Sequence, residues 1–202
     1  MKSKIPLGLC VPIMFTLMST AQPSQSPGVA AVVATVEVAT EMEAAPTDCG
    51  PSPEAIEINK KYYGPVLGTW PIWGTIYAGQ NHIGVLAMPH EHPTSSWLRD
   101  WWGQKVLWLV STSYKGKVKL SGFNSADHGP IYFSFNGNAP VTIAILDPAS
   151  PGAFAEGSDQ FANFPSGVYV SKAGCYTLEA QWDGGLWRQT IAVGYVKGFK
   201  PL

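Results

Sequence analysis

The sequence predicts an all-β chain folded as a single antiparallel β-sandwich. Three observations carry that expectation. About eight or nine short runs of alternating or apolar residues follow one another, separated by Gly, Pro, Asn and Asp at near-regular spacing. No stretch has the 3.6-residue periodicity of a long amphipathic helix. The run Ala173 to Val193 is a hairpin written into the sequence, two alternating segments around Asp183-Gly184-Gly185. In its first arm Tyr176, Leu178, Ala180 and Trp182 share a face. In its second arm Trp187, Ile191 and Val193 do, while Thr177, Glu179, Gln181, Arg188 and Thr190 take the opposite faces. A hairpin with one apolar face must bury it against a second layer. Regularly spaced strands with no helix favour an immunoglobulin-like sandwich of about eight or nine strands over a barrel.

In chain order, residues 1–21 read as an export signal. Lys2 and Lys4 give a basic start, Ile5 to Met18 is mostly apolar, and Ser19-Thr20-Ala21 supplies small residues for cleavage. Cys10 lies inside the apolar run, behind the bulky Leu9, so it reads as a residue removed with the signal rather than a lipid anchor. The run is shorter than the ~20 residues that span a bilayer comfortably. Cleavage therefore leaves no membrane span, an uncleaved anchor being the alternative. Residues 22–48 read as a flexible linker. It opens with the polar Gln22 to Pro27 and continues as Ala, Val, Thr and Glu without an aromatic anchor. The sandwich domain is placed at 49–202.

After the signal, Cys49 and Cys175 remain, and two cysteines in an exported chain predict a disulfide, with two free thiols as the alternative. Closing a loop of more than a hundred residues is worth about 4.7 kcal/mol or slightly more on the chain-entropy account.

Within the domain, Glu54 to Tyr63 is read as a short helix or turn. Val66 to Ala78 is an aromatic-rich strand that Pro71 confines to an edge or bends. Asn81 to Met88 is a short strand, and Met88 to Ser96 a loop. Gln104 to Ser111 is apolar in both alternation classes, as in a central strand covered on both faces. Lys117, Lys119 and Ser121 alternate with Val118, Leu120 and Gly122, a half-buried strand. Its charges, with Lys115, form a solvated face that discourages edge pairing. Ile131, Phe133 and Phe135 share a face, and Asn136-Gly137-Asn138 turns that run into Val141, Ile143 and Ile145. Asp147 to Pro165 reads as loop, and Gly167 to Ser171 as a last short strand before the hairpin.

Cys49-Gly50-Pro51 near a Pro-rich start, the Gly116 to Gly122 strand and the closing Ala173-Gly174-Cys175-Tyr176 together resemble uncharacterised secreted bacterial proteins, notably Chloroflexota-like ones. The resemblance covers most of residues 49–196. It implies export and a β-rich fold, and brings no activity and no catalytic residue with it.

The net charge is -1 and only 13% of residues are charged, which argues against binding to nucleic acid through phosphate neutralisation or to a membrane surface through a basic patch. No Gly-x-Ser-x-Gly elbow is present, Asp127-His128 sits in a turn-like stretch, and the acidic residues fall mostly at turns, so the chain reads as a non-enzyme. Two constellations suggest binding. Trp97, Arg99, Trp101 and Trp102 combine the residue types that anchor partners or stack on sugar rings, while Trp108 and Trp182 belong to the core. The imidazoles of His82, His90 and His92 with the thioether of Met88 form the alternative, a copper or zinc site. The expectation is an extracytoplasmic, cofactor-free module, secreted or held at the bacterial cell surface, that binds a cell-surface protein or a glycan, with a copper or zinc carrier as alternative.

Overall fold

The computed structural model describes residues 41–51, 53–58, 63–76, 78, 82–90, 98–151 and 160–199. They all belong to one compact unit, Glu37–Leu202. The sequence expectations for residues 1–21 and 22–40 lie outside the described residues. Every element is a strand: β1 (Leu67–Thr69), β2 (Ile72–Gly74), β3 (Val85–Ala87), β4 (Trp102–Ser111), β5 (Val118–Asn124), β6 (Tyr132–Phe135), β7 (Ile143–Leu146), β8 (Phe161–Val170), β9 (Gly174–Trp182) and β10 (Gly185–Gly194). No helix occurs among the described residues, and the helix or turn expected at Glu54 to Tyr63 is, where described, extended chain with an isolated bridge from Ile56 to Val66.

The strands form two five-stranded sheets, ordered β1-β2-β4-β8-β6 and β3-β10-β9-β5-β7. Neither closes on itself, and their inward side chains meet in one core, the layering of a sandwich. Against the expected eight or nine strands, the described residues form ten, and pairing is not wholly antiparallel: β3 runs parallel to β10, Val85 beside Ala192. The parallel pair is reached by the long connection back through the chain that parallel strands require.

The hairpin forms as the sequence dictates. Trp182 pairs with Gly185, so Asp183-Gly184 is the two-residue turn, and Gly184 takes the positive φ of 90° such a turn demands. Tyr176, Leu178, Ala180, Ile191 and Val193 are buried inward, while Arg188 and Glu179, direct cross-strand partners, form an ion pair outside. β5 alternates as expected, Val118 and Leu120 in and Lys119 out.

Three elements depart from the expectation for identifiable reasons. Phe161 to Pro165, read as loop, is the first half of β8. Pro165 pairs with Leu107 on β4, but β6 ends at Phe135 opposite Ser166, so on its other side Pro165 faces no ladder partner and its missing N–H leaves no bond open. In the stretch through β7, Val141, Ile143 and Ile145 point outward, 44%, 47% and 57% exposed, while Ala144 and Leu146 enter the core. Ordered packing also begins ahead of the boundary drawn at 48/49. Met42 is buried in the core and its N–H donates to His90 O, while the Ala45 N–H donates to Tyr195 O and the Tyr195 N–H to Glu43 O.

Cys49 and Cys175 are joined, Cα atoms 5.3 Å apart, pinning the segment before β1 to the start of β9 across 126 residues. In the core, Trp108 is completely buried and its Nε1–H donates to Ser166 Oγ at 3.0 Å, while Ser166 donates to Val106 O. Trp102 is 1% exposed, and its Nε1 has no hydrogen-bond partner among the described residues. Trp182 packs against the core from a half-buried position.

A second, smaller cluster sits on the outside of the β4 sheet. Tyr63, Val66 and Leu109 are buried there with Trp73 and Phe161 packed around them, and Tyr63 donates to Asn163 Oδ1. The sequence expectation that β4 is covered on both faces therefore holds at Leu109. It weakens at Leu107, which is half-buried against the edge of that cluster, and fails at Lys105, which is exposed.

These environments separate the two buried tryptophans. Trp108→Phe removes a made hydrogen bond as well as packing, whereas Trp102→Phe removes only packing and an unmet donor. Trp108→Phe is expected to be the more destabilising by about 1 kcal/mol. Urea unfolding of both variants measures it, and equal or reversed losses contradict this reading of the core.

Candidate functional site

The aromatic stretch before β4 is divided by strand alternation. A turn closed by Trp101 N–H to Leu98 O leads into the strand, with Asp100 at a positive φ of 64°. Trp101 then faces outward and Trp102 inward, because neighbouring residues of a strand point to opposite faces. Of the four residues expected to form a binding surface, Trp102 belongs to the core and cannot meet a ligand. Trp97 lies outside the described residues, Arg99 is exposed, and Trp101 is half-buried.

Trp101 packs edge-on against Tyr132 of β6, ring centroids 5.0 Å apart and planes at 89°. Tyr132 is the direct cross-strand neighbour of Tyr169 on β8, and Tyr169 of Gly103 on β4. An aromatic row, Trp101, Tyr132 and Tyr169, thus crosses the outer face of the sheet at the end that Tyr63 and Val66 leave open. Two residues along the strands the next row is Lys105, Gly167 and Ser134, and the next contains Leu107 and Pro165.

Gly167 is the reason Tyr169 lies down. A Cβ at position 167 would stand 2.6 Å from the Tyr169 hydroxyl oxygen and 3.0 Å or less from the adjoining ring carbons, so the phenol end of Tyr169 occupies the space any other residue would fill. Beside it runs an open groove of about 680 Å3, bordered by Tyr169, Lys105, Leu107, Ser134, Asn136 and Thr75. That volume falls within the range of ligand clefts. Its walls mix aromatic and aliphatic surface with a few polar groups. Ser134 Oγ already donates to Asn138 O, and Thr75 Oγ1 is tied to the backbone of Leu107, whereas the side chains of Lys105 and Asn136 border the groove with no hydrogen bond among the described residues.

Sequence reasoning reached Trp101 but missed Tyr132, Tyr169, Lys105 and Asn136. The signal for Tyr169 was present in Gly167-Val168-Tyr169-Val170, where a glycine precedes an aromatic by two positions on the polar class of an apolar strand. Nothing in the sequence places β6 beside β8.

The copper or zinc alternative is not assembled by the described residues. Met88 is 1% exposed within the core, and His92 lies outside the described residues. His90 is half-buried, its ring 4.4 Å from that of Tyr195 and its Nε2 3.8 Å from a Glu41 carboxylate oxygen. His82 borders a different cleft, near Cys49 and Lys197. Among the described residues no three of His, Cys, Asp and Glu gather as ligands. Asp127 and His128 likewise do not act together. The Asp127 carboxylate holds Lys172 and the Gly129 N–H, which keep its pKa below the usual carboxylate range, while His128 tilts over Phe123. Comparison with protein-family models, with curated proteins and with solved structures finds no match for this chain.

Gly167→Ala tests the central packing feature of this face. The residue it displaces is the movable end of Tyr169, so stability is expected to change by less than about 1.5 kcal/mol. The Tyr169 ring resonances should nevertheless shift in the NMR spectrum as the phenol swings away, and unchanged resonances contradict the assigned packing.

Proposed function

We propose that this chain is an exported, non-enzymatic binding module that works at the bacterial cell surface or outside the cell. Its contact surface is the open outer face of β4, β8 and β6. The observation that carries the proposal is the gathering of Trp101, Tyr132 and Tyr169 beside a groove on a sheet face whose other end is already covered by Tyr63 and Val66. Half-exposed aromatics held rigidly by a sheet supply large contact area at low entropic cost, the usual character of binding anchors. Arg99 is exposed in the turn that leads into β4.

Export is supported by the Cys49–Cys175 disulfide, a bond that persists in oxidising compartments, together with the basic, apolar, small-residue order of residues 1–21. No helix among the described residues is long and apolar enough to cross a membrane.

Within the sandwiches, the immunoglobulin-like type is supported by strand neighbours. β4 and β8 are adjacent in one sheet, and β5, β9 and β10 are adjacent in the other, the relation of strands B and E to C, F and G. The section between β5 and β8 departs from that plan, since β6 joins one sheet before β7 joins the other.

The partner is a cell-surface protein or a glycan. Binding of the disulfide-intact protein to isolated bacterial cell-envelope material tests the proposal, with Trp101→Ala/Tyr169→Ala alongside. The double variant is expected to bind about tenfold more weakly or worse, the effect of losing about 1.4 kcal/mol of contact. Equal binding of both proteins overturns the assignment of the face.

A further inference from the structure

The chemistry of the groove narrows its ligand. The groove lies on the outer face over β4, β8 and β6, where the backbone of β8 is engaged by β4 on one side and, from Ser166 onward, by β6 on the other. A peptide lying over β8 therefore finds no free ladder on that strand from Ser166 onward, so strand addition does not operate there. What the groove offers is a tyrosine laid across a glycine, an aliphatic wall at Leu107 and Pro165, and polar side chains at the margin. This combination matches a ring with an apolar C–H face and a hydroxylated edge, the chemistry of a saccharide. Hydroxyls of such a ring can bond to Asn136 and to the hydroxyl of Tyr169.

Charge selects further. Lys105 is the one charged side chain bordering the groove, it is exposed, and no carboxylate pairs with it among the described residues. A single cation in an otherwise neutral groove complements a ligand with one negative charge per ring. It does not suit a polyphosphate, which demands several cations together.

We infer that the groove beside Tyr169 is a subsite for a carboxylate-bearing sugar, the uronic acid unit of an acidic glycan, stacked on Tyr169 with its carboxylate at Lys105. This inference rests on the proposed binding face and deepens it.

Titration of the disulfide-intact protein with trigalacturonate, with its neutral methyl ester and with a hexaglutamate peptide tests it. Trigalacturonate should bind about threefold to fivefold more tightly than the ester at low salt, the size of one exposed ion pair. The preference should shrink as salt rises. Lys105→Gln, at an exposed position, should erase the preference while leaving ester binding unchanged, and Tyr169→Ala should weaken both sugars about tenfold. Equal affinity for acid and ester, both lost in Tyr169→Ala, overturns the acidic-sugar inference and leaves the binding face standing. Binding of hexaglutamate without either sugar replaces the saccharide with an acidic peptide. No sugar binding while envelope binding stays sensitive to Trp101→Ala/Tyr169→Ala overturns the inference alone. Loss of that sensitivity as well overturns both.

Discussion

The ten-residue ladder between β4 and β8 is the constraint on which the rest of this molecule depends. It runs unbroken from Trp102 opposite Val170 to Ser111 opposite Phe161. Because side chains alternate at a period of two, this register alone decides that Trp102, Val106, Trp108 and Val110 enter the core and that Lys105 and Leu107 stay outside. A slip of one residue would put Lys105 in the core and two tryptophans in water. Large-to-small changes at buried tryptophans typically cost about 3 to 5 kcal/mol, so the inward pair alone holds the register firmly. The Trp108 to Ser166 bond ties the same two strands together from inside.

The aromatic face is the outward consequence of that register. Once β4 and β8 are aligned, Gly103, Tyr169 and Tyr132 must stand in one row and Lys105, Gly167 and Ser134 in the next. The chain then treats the two ends of this face differently. Tyr63 and Val66 seal the end at Leu109, while the end at Tyr169 stays open, so a buried structural cluster and an accessible groove share one sheet. The groove inherits the rigidity of the strands beneath it, which is what a site needs in order to hold ligand geometry without a large ordering cost. The disulfide and the Met42 to Ala45 segment secure the other sheet, at Tyr195 and the start of β9.

Much of the architecture was legible in the sequence where pattern and turn chemistry agree. The hairpin around Asp183-Gly184, the alternation of β5, the Cys49 to Cys175 pair and the burial of Trp108 all follow from local signals. Where both alternation classes are apolar, the signal fails. Val141, Ile143 and Ile145 are together bulkier than Thr142, Ala144 and Leu146, yet the smaller set contains the inward residues. Among the described residues β7 is an edge strand paired with β5 alone, and Ala144 and Leu146 are the residues it buries. Pro165 was misleading because its penalty depends on where a neighbouring strand ends, which no local pattern reports. The site was legible only in part for the same reason. Trp101 and Trp102 are adjacent and chemically alike, and only the start of β4 tells which is core. Tyr132 and Tyr169 lie far apart in sequence and meet through the pairing of β6 with β8.

The register of β4 is open to direct measurement through hydrogen exchange of the tryptophan indole N–H groups followed by NMR. The account predicts that the Trp101 indole exchanges rapidly, while those of Trp102 and Trp108 are protected until the sheet opens as a unit. Protection of Trp101 with rapid exchange at Trp102 would mean that the strand is turned over, and the aromatic face described for this molecule would not exist.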